Sequence, residues 1–169
     1  MITVADIKDA EEINALVNSA YRGESSKKGW TSEADLLGGV RTTSEGLKET
    51  LSNPAIIFLK YVEQGQIKAC VLLENQKEAL YLGMLTVSPL LQGGGIGKKL
   101  LRAAEEKAKE YGLSKISMTV ISIRAELIAW YERKGYKSTG EIKPFPKEDI
   151  SFGLPKQHLE FIVMEKEIK

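Results

Sequence analysis

The residues best suited to chemistry stand together in Gln92-Gly93-Gly94-Gly95-Ile96-Gly97-Lys98-Lys99. Residues 81–87 read as a strand, and a helical pattern begins near Gly95, so the glycines occupy a strand-to-helix turn. The first turn of a helix has unpaired N–H groups and a partial positive charge, and it attracts anions. Without Cβ atoms the backbone permits a positive φ and a close approach by a phosphate. Lys98, Lys99 and Arg102 add positive charge within the next two turns. The chemistry implied is the binding of a phosphorylated ligand.

Spacing decides which ligand. A triphosphate loop requires Gly five positions before its Gly-Lys pair and Ser or Thr after the Lys. Here those places hold Gln92 and Lys99. The dinucleotide pattern GxGxxG fails as well, because Lys98 follows Gly93 and Gly95 at the third glycine's place, and Leu100 follows Gly95 and Gly97. What remains is Gln-x-x-Gly-x-Gly, preceded by Leu85-Thr86-Val87-Ser88-Pro89. This arrangement resembles the coenzyme A pyrophosphate loop, with its preceding strand and turn, of the GNAT superfamily of N-acetyltransferases.

The resemblance implies acetyl-CoA as co-substrate, with no metal. It implies cofactor contacts from Leu85, Thr86 and Val87, from Gln92, Gly93, Gly94, Gly95, Ile96, Gly97 and Lys98, and from Arg124. Arg124 stands where the family often has an Asn that meets the pantetheine arm. A backbone N–H on residues 85–87 is expected to polarise the thioester carbonyl. Ala129-Trp130-Tyr131-Glu132-Arg133-Lys134-Gly135-Tyr136 looks like the family's second signature and makes Tyr131 the candidate acid for the departing thiolate. A phenol of pKa about 10 can protonate a thiolate whose conjugate acid lies near 8.5. The other reading of Tyr131 is an aromatic packed under the sheet.

Acetyl transfer to an amine also needs a proton acceptor. Many relatives place a Glu on the strand before the loop, yet here that strand, YLGMLTV, has no carboxylate. Glu33, Glu74, Asp35 and a water chain are the alternatives, and Glu33 is favoured because it lies in the segment where relatives bind the acceptor. Trp30 and Arg41 from that region, with His158 after a long proline-containing stretch, complete the candidate acceptor site. Trp30 would cover a carbon skeleton or a cation, and Glu33 would attract an ammonium group. Each also has a plain reading as a loop anchor or surface charge. Cys70, in Lys68-Ala69-Cys70-Val71-Leu72-Leu73, reads as a core thiol rather than a nucleophile.

The elements that must position these residues follow from periodicity. Strands are expected at residues 2–4, 55–63, 66–74, 81–87, 115–121, 136–142 and 158–167. Helices are expected from Asp9 to about Gly23, with Asp9 and Glu12 as a capping box, and at 44–51, 95–111 and 125–134. A short helix through Leu36 and Leu37, closed by Gly38-Gly39, is expected between the first two. The helix at 95–111 should bury Ile96, Leu100, Ala104, Ala108 and Tyr111 on one face. A meander followed by strand–helix–strand specifies an α/β (α+β) fold: a mixed, mostly antiparallel sheet of about seven strands with helices on both faces. One domain over residues 1–169 is expected.

Composition limits the alternatives. With 24 basic and 23 acidic residues, the charge balance offers no argument for nucleic acid or an anionic membrane. No apolar run approaches the ~20 residues that span a bilayer, and MITVADIKDAEE lacks the regions of a signal peptide. One Cys and one His exclude a disulfide framework and a Cys/His zinc cluster. The reading is a cytoplasmic acetyltransferase acting on a primary amine, favouring a small molecule over a protein tail, with a homodimer left open. A non-catalytic acyl-CoA-binding sensor or scaffold is the competing class.

Overall fold

The computed structural model describes residues 1–21, 37–38, 43–89, 91, 94–144, 154–155 and 160–168. Among them the order is β1 (Ile2–Val4), a 3-10 turn (Ile7–Asp9), α1 (Ala10–Tyr21), β2 (Leu37–Gly38), α2 (Ser44–Ser52), β3 (Ile56–Glu63), β4 (Gln66–Asn75) and β5 (Leu80–Val87). There follow α3 (Ile96–Glu110), β6 (Lys115–Ile121), α4 (Ala125–Arg133), β7 (Lys137–Pro144), β8 (Leu154–Pro155) and β9 (Glu160–Glu167). Seven strands form one sheet in the order β1-β3-β4-β5-β6-β9-β7, and β2 pairs with β8 in a second. Every pairing is antiparallel except β5 with β6. The mixed sheet with helices on both faces is therefore as the periodicity implied.

Two apolar clusters divide the helices between the faces. Leu59, Val71, Leu80, Leu82, Ile116, Met118 and Met164 bury one face under Leu100, Leu101 and Ala104 of α3 and Tyr131 of α4. Phe58, Ile67 and Cys70 bury the other under Ile13, Leu16 and Val17 of α1 and Leu47 of α2. Each fully buried Leu or Ile contributes about 1.5–3 kcal/mol through removal of its surface from water.

Gln64 and Gly65, with φ of 55° and 75°, make the tight turn between β3 and β4. Gly112, at φ 71°, follows the last turn of α3 as the sequence suggests. Three expectations need correction. Asp6 caps the 3-10 turn ahead of α1, accepting from the Lys8 N–H while Asp9 accepts from the Asp6 N–H; Glu12 instead accepts from the Ile67 N–H at 2.7 Å, tying α1 to β4. Tyr111 is exposed, because it sits at the C-cap, where the helix face has turned away from the sheet. Leu37–Gly38 is extended rather than helical, since it pairs with Leu154–Pro155, a partner more than 100 residues away that local pattern cannot reveal.

Asp9 also accepts from Lys60 Nζ at 2.9 Å. Burial works to raise the Asp9 carboxyl, but the Asp6 N–H and the Lys60 ammonium outweigh it and hold the group below its ordinary value. A carboxylate depressed in the folded state adds stability above its unfolded pKa, which is lost as pH falls through the folded one. Asp9→Asn should therefore destabilise the protein by about 1 kcal/mol at neutral pH. The gap from wild type should close progressively below about pH 4. Chemical denaturation at pH 7 and pH 3 measures it, and an equal gap at both would remove the ion pair as its cause.

Candidate active site

The parallel pair β5–β6 is the break in the sheet. Its ladder consists of Leu80 with Ile116 and Tyr81 with Ser117, although the strands continue to Val87 and Ile121. Beyond those positions they diverge into a V. Each arm ends in a turn that leads into a helix, so the N-termini of α3 and α4 both lie at the mouth of the V. A crevice at the carboxyl ends of parallel strands, flanked by helix N-termini, is where α/β folds hold anionic ligands.

The β5 arm carries a bulge. Thr86 pairs with Cys70 and Gly83 with Leu72, so one more residue is accommodated on β5 than on β4. Met84 takes a φ of 49°, unusual for a side chain of its size. The extra residue resets the alternation: Leu80 and Leu82 face the α3 side, and so do Leu85 and Val87. Met84 faces the α1 side. The Thr86 hydroxyl donates to the Met84 carbonyl at 2.8 Å and is buried, so this side chain braces the bulge. Cys70 packs beneath it, fully buried, and burial pushes its thiol up to about 12, with the nearby Thr86 hydroxyl working the other way. It is the core thiol that its apolar neighbours suggested.

At the mouth, Gly95 is the N-cap of α3 with φ 81°, and no side chain among the described residues caps the helix. A Cβ placed on Gly95 would meet no described protein atom within 4 Å. Gly94, Gly95, Lys98 and Lys99 lie at or near the surface, while Ile96 is buried and anchors the first turn. Gly97 is close-packed instead: a Cβ there would lie 3.4 Å from the Trp130 ring and 3.8 Å from Val87 Cγ2. Trp130 thus ties α4 to the start of α3, and Gly97 also lies against Val87 of the β5 arm.

Tyr131 is buried beside it, edge-on to Trp130 at 5.1 Å and to Tyr136 at 5.8 Å between ring centroids. Arg124, at the N-cap of α4, is only 4% exposed, an uncommon burial for a guanidinium. The described candidates Leu85, Thr86, Val87, Gly94, Gly95, Ile96, Gly97, Lys98, Arg124 and Tyr131 all belong to the two arms of the V and the helices that follow them.

Gln92, Gly93, Trp30, Glu33, Arg41 and His158 lie outside the described residues, as does Asp35. Glu74 stands directly across from Tyr81 in the β4–β5 ladder and accepts from Gln76 Nε2 at 2.8 Å. Sequence reasoning missed Tyr81 and Thr119, whose side-chain oxygens meet at 3.4 Å across the V. Two polar residues on separate strands carry no joint signal until the strands are placed.

The comparisons with known proteins agree with this architecture. A curated relative from Azospirillum brasilense, named IAA acetyltransferase, is 29% identical over 110 residues, covering 64% of this chain and 72% of that protein. The fold matches the ribosomal-protein-S18-alanine N-acetyltransferase of Escherichia coli with a TM-score of 0.72 at 15% identity, over 100% of this chain and 94% of that one. A Bacillus anthracis protein solved in complex with acetyl coenzyme A matches with a TM-score of 0.59 at 20% identity, over 70% and 66% of the two chains. The family model for the acetyltransferase (GNAT) domain matches residues 37–152, a span that includes both arms of the V and both helices at its mouth. The chain belongs to that GNAT family and is an N-acetyltransferase of the GNAT type.

Proposed function

We propose that residues 1–169 form a single domain that transfers the acetyl group of acetyl-CoA to a primary amine, favouring a small molecule, by direct transfer in a ternary complex. The observation that carries this reading is the V of β5 and β6 with the glycine-capped N-terminus of α3 at its mouth. Acetyl-CoA supplies an activated thioester: the amine nitrogen bonds to the acetyl carbon, the C–S bond breaks, and the thiol leaves with a proton. The residues present fit such a ligand. Among the described residues, the space at Gly95 and the helix start without a side-chain cap suit a pyrophosphate, and Lys98 adds charge beside it. The Leu85–Val87 arm and Arg124 flank the path toward the interior of the V.

The protein's own tasks are orientation and proton handling. Tyr131, held between Trp130 and Tyr136, is the proton donor to the thiolate in this reading. Glu33 is the favoured group for attracting and deprotonating the amine, and Glu74 is its alternative. Trp30, Arg41 and His158 are the candidate contacts for the acceptor in this reading. The absence of a carboxylate on β5 is the feature that would also suit a non-catalytic acyl-CoA-binding module. A screen of primary amines with acetyl-CoA, followed by thiol release, separates the two: turnover supports the enzyme, and tight CoA binding without turnover supports the module.

Three variants test the assignments. Asn tolerates a left-handed backbone, so Gly95→Asn should keep the fold and weaken CoA binding at least about tenfold, because its side chain meets the ligand rather than the protein. Calorimetry showing unchanged CoA affinity would remove the cradle. Tyr131→Phe keeps the ring stack and loses only the hydroxyl; turnover should fall about 10²–10⁴-fold at unchanged CoA affinity. Wild-type turnover with chemistry limiting would make Tyr131 a packing residue. Glu33→Gln should raise the acceptor KM alone if Glu33 attracts the cation, and lower kcat if it is the base. If neither constant moves, the role passes to Glu74.

A further inference from the structure

The side chains at the vertex of the V form a device that the reaction as outlined does not use. The main-chain ladder between β5 and β6 ends at Tyr81 and Ser117. On the α1 face, two residues further along each arm, stand Gly83 and Thr119. The Tyr81 ring leans toward the opening: a Cβ on Gly83 would lie 3.1 Å from Tyr81 Cε1 and 3.7 Å from its hydroxyl oxygen. A side chain at position 83 would press on the ring and require it to shift by a few tenths of an ångström. In this posture the hydroxyl reaches across the gap to within 3.4 Å of Thr119 Oγ1. All three residues are half-buried, so the pair is neither sealed in the core nor displayed on the open surface.

Hydroxyls of this kind have capacity to spare. A phenol donates one hydrogen bond and accepts others, and Thr has the same capacity. The contact uses one hydroxyl hydrogen, which leaves the other and further lone pairs free to meet a third group. Leu85 and Val87 occupy the opposite face of the β5 arm, on the α3 side with the helices that begin at the mouth. The Tyr81–Thr119 pair therefore looks into the V from the side away from the phosphate cradle. An amine approaching from that side acquires positive charge as it attacks, and an acceptor oxygen aimed at its N–H groups stabilises that charge.

We propose that the Tyr81 hydroxyl, oriented by Thr119, accepts a hydrogen bond from the attacking amine and sets its approach to the acetyl carbon. This rests on the transfer reading above and deepens it by assigning the nucleophile's contact. Tyr81 is then an acceptor-binding residue and Thr119 a positioning residue. Gly83 belongs to the same device, because its missing Cβ sets the tilt of the ring.

The test uses the intact protein, a panel of primary amines, and water as the reference nucleophile through slow acetyl-CoA hydrolysis. Tyr81→Phe retains the ring and should lower kcat/KM for an accepted amine about tenfold, the scale of one lost hydrogen bond. CoA affinity by calorimetry should be unchanged. Thr119→Val should act in the same direction and Thr119→Ser should restore the rate, since serine keeps the hydroxyl. Gly83→Ala should mimic Tyr81→Phe although it removes no polar group. Unchanged kcat/KM in Tyr81→Phe, or a parallel loss of CoA affinity, would overturn the proposal, the latter by making the pair a brace for the strands. If no amine is turned over, hydrolysis decides. A drop in Tyr81→Phe keeps the nucleophile contact while the amine reading fails, and an unchanged rate refutes the contact.

Discussion

The fold depends on the early end of the β5–β6 ladder. Two strands of eight and seven residues pair at two positions and then separate. Backbone polar groups facing the gap need partners other than one another, because unpaired buried N–H and C=O groups are costly. An extended ligand with amides of its own suits that gap. The arms are held apart by what lies outside them: β4 and β3 continue the sheet antiparallel beyond β5 on one side, β9 and β7 beyond β6 on the other. The parallel connection also requires a crossover, and α3 supplies it while its N-terminus is delivered to the opening.

The bulge on β5 reconciles two demands. The strand must bury Leu80 and Leu82 under α3 at its base and present Leu85 and Val87 on the same side further out. An uninterrupted strand of this sequence would turn the second pair to the other face. One extra residue corrects the parity, at a cost of about 1 kcal/mol for the left-handed Met84. The Thr86 hydrogen bond to the Met84 carbonyl offsets part of that cost. Tyr81 and Gly83, before the bulge, stay on the α1 face, so the bulge also separates the cradle side of the strand from its polar side.

Charge is local in this protein rather than global. Formal charges cancel to +1, yet the α3 start combines a helix N-terminus with Lys98 and Lys99, and the α4 start buries Arg124. Both therefore add positive potential at one edge of the sheet. The fall-off within about a Debye length confines the effect to that edge. Trp130 keeps the two helix starts together through its contact with Gly97. The β2–β8 pair joins Leu37–Gly38 to Leu154–Pro155, two short strands far apart in sequence.

What the sequence determined by itself is what short-range periodicity and backbone chemistry encode. The strand ending at Val87, the glycine turn, the apolar stripe of α3 and the tight turn at Gln64-Gly65 are each written in about fifteen consecutive residues or fewer. The loop motif carried the family for the same reason, since a phosphate cradle is a local backbone shape. The engagement of Glu12 by β4, the strand at Leu37–Gly38, the bulge at Met84 and the Tyr81–Thr119 meeting were decided by tertiary structure. Each depends on a partner from another element: the Ile67 N–H, a strand over 100 residues away, a register against β4, a neighbouring arm of the V. Periodicity tells which way a side chain points along its own element, whereas the atom it meets is set by how elements are registered against one another.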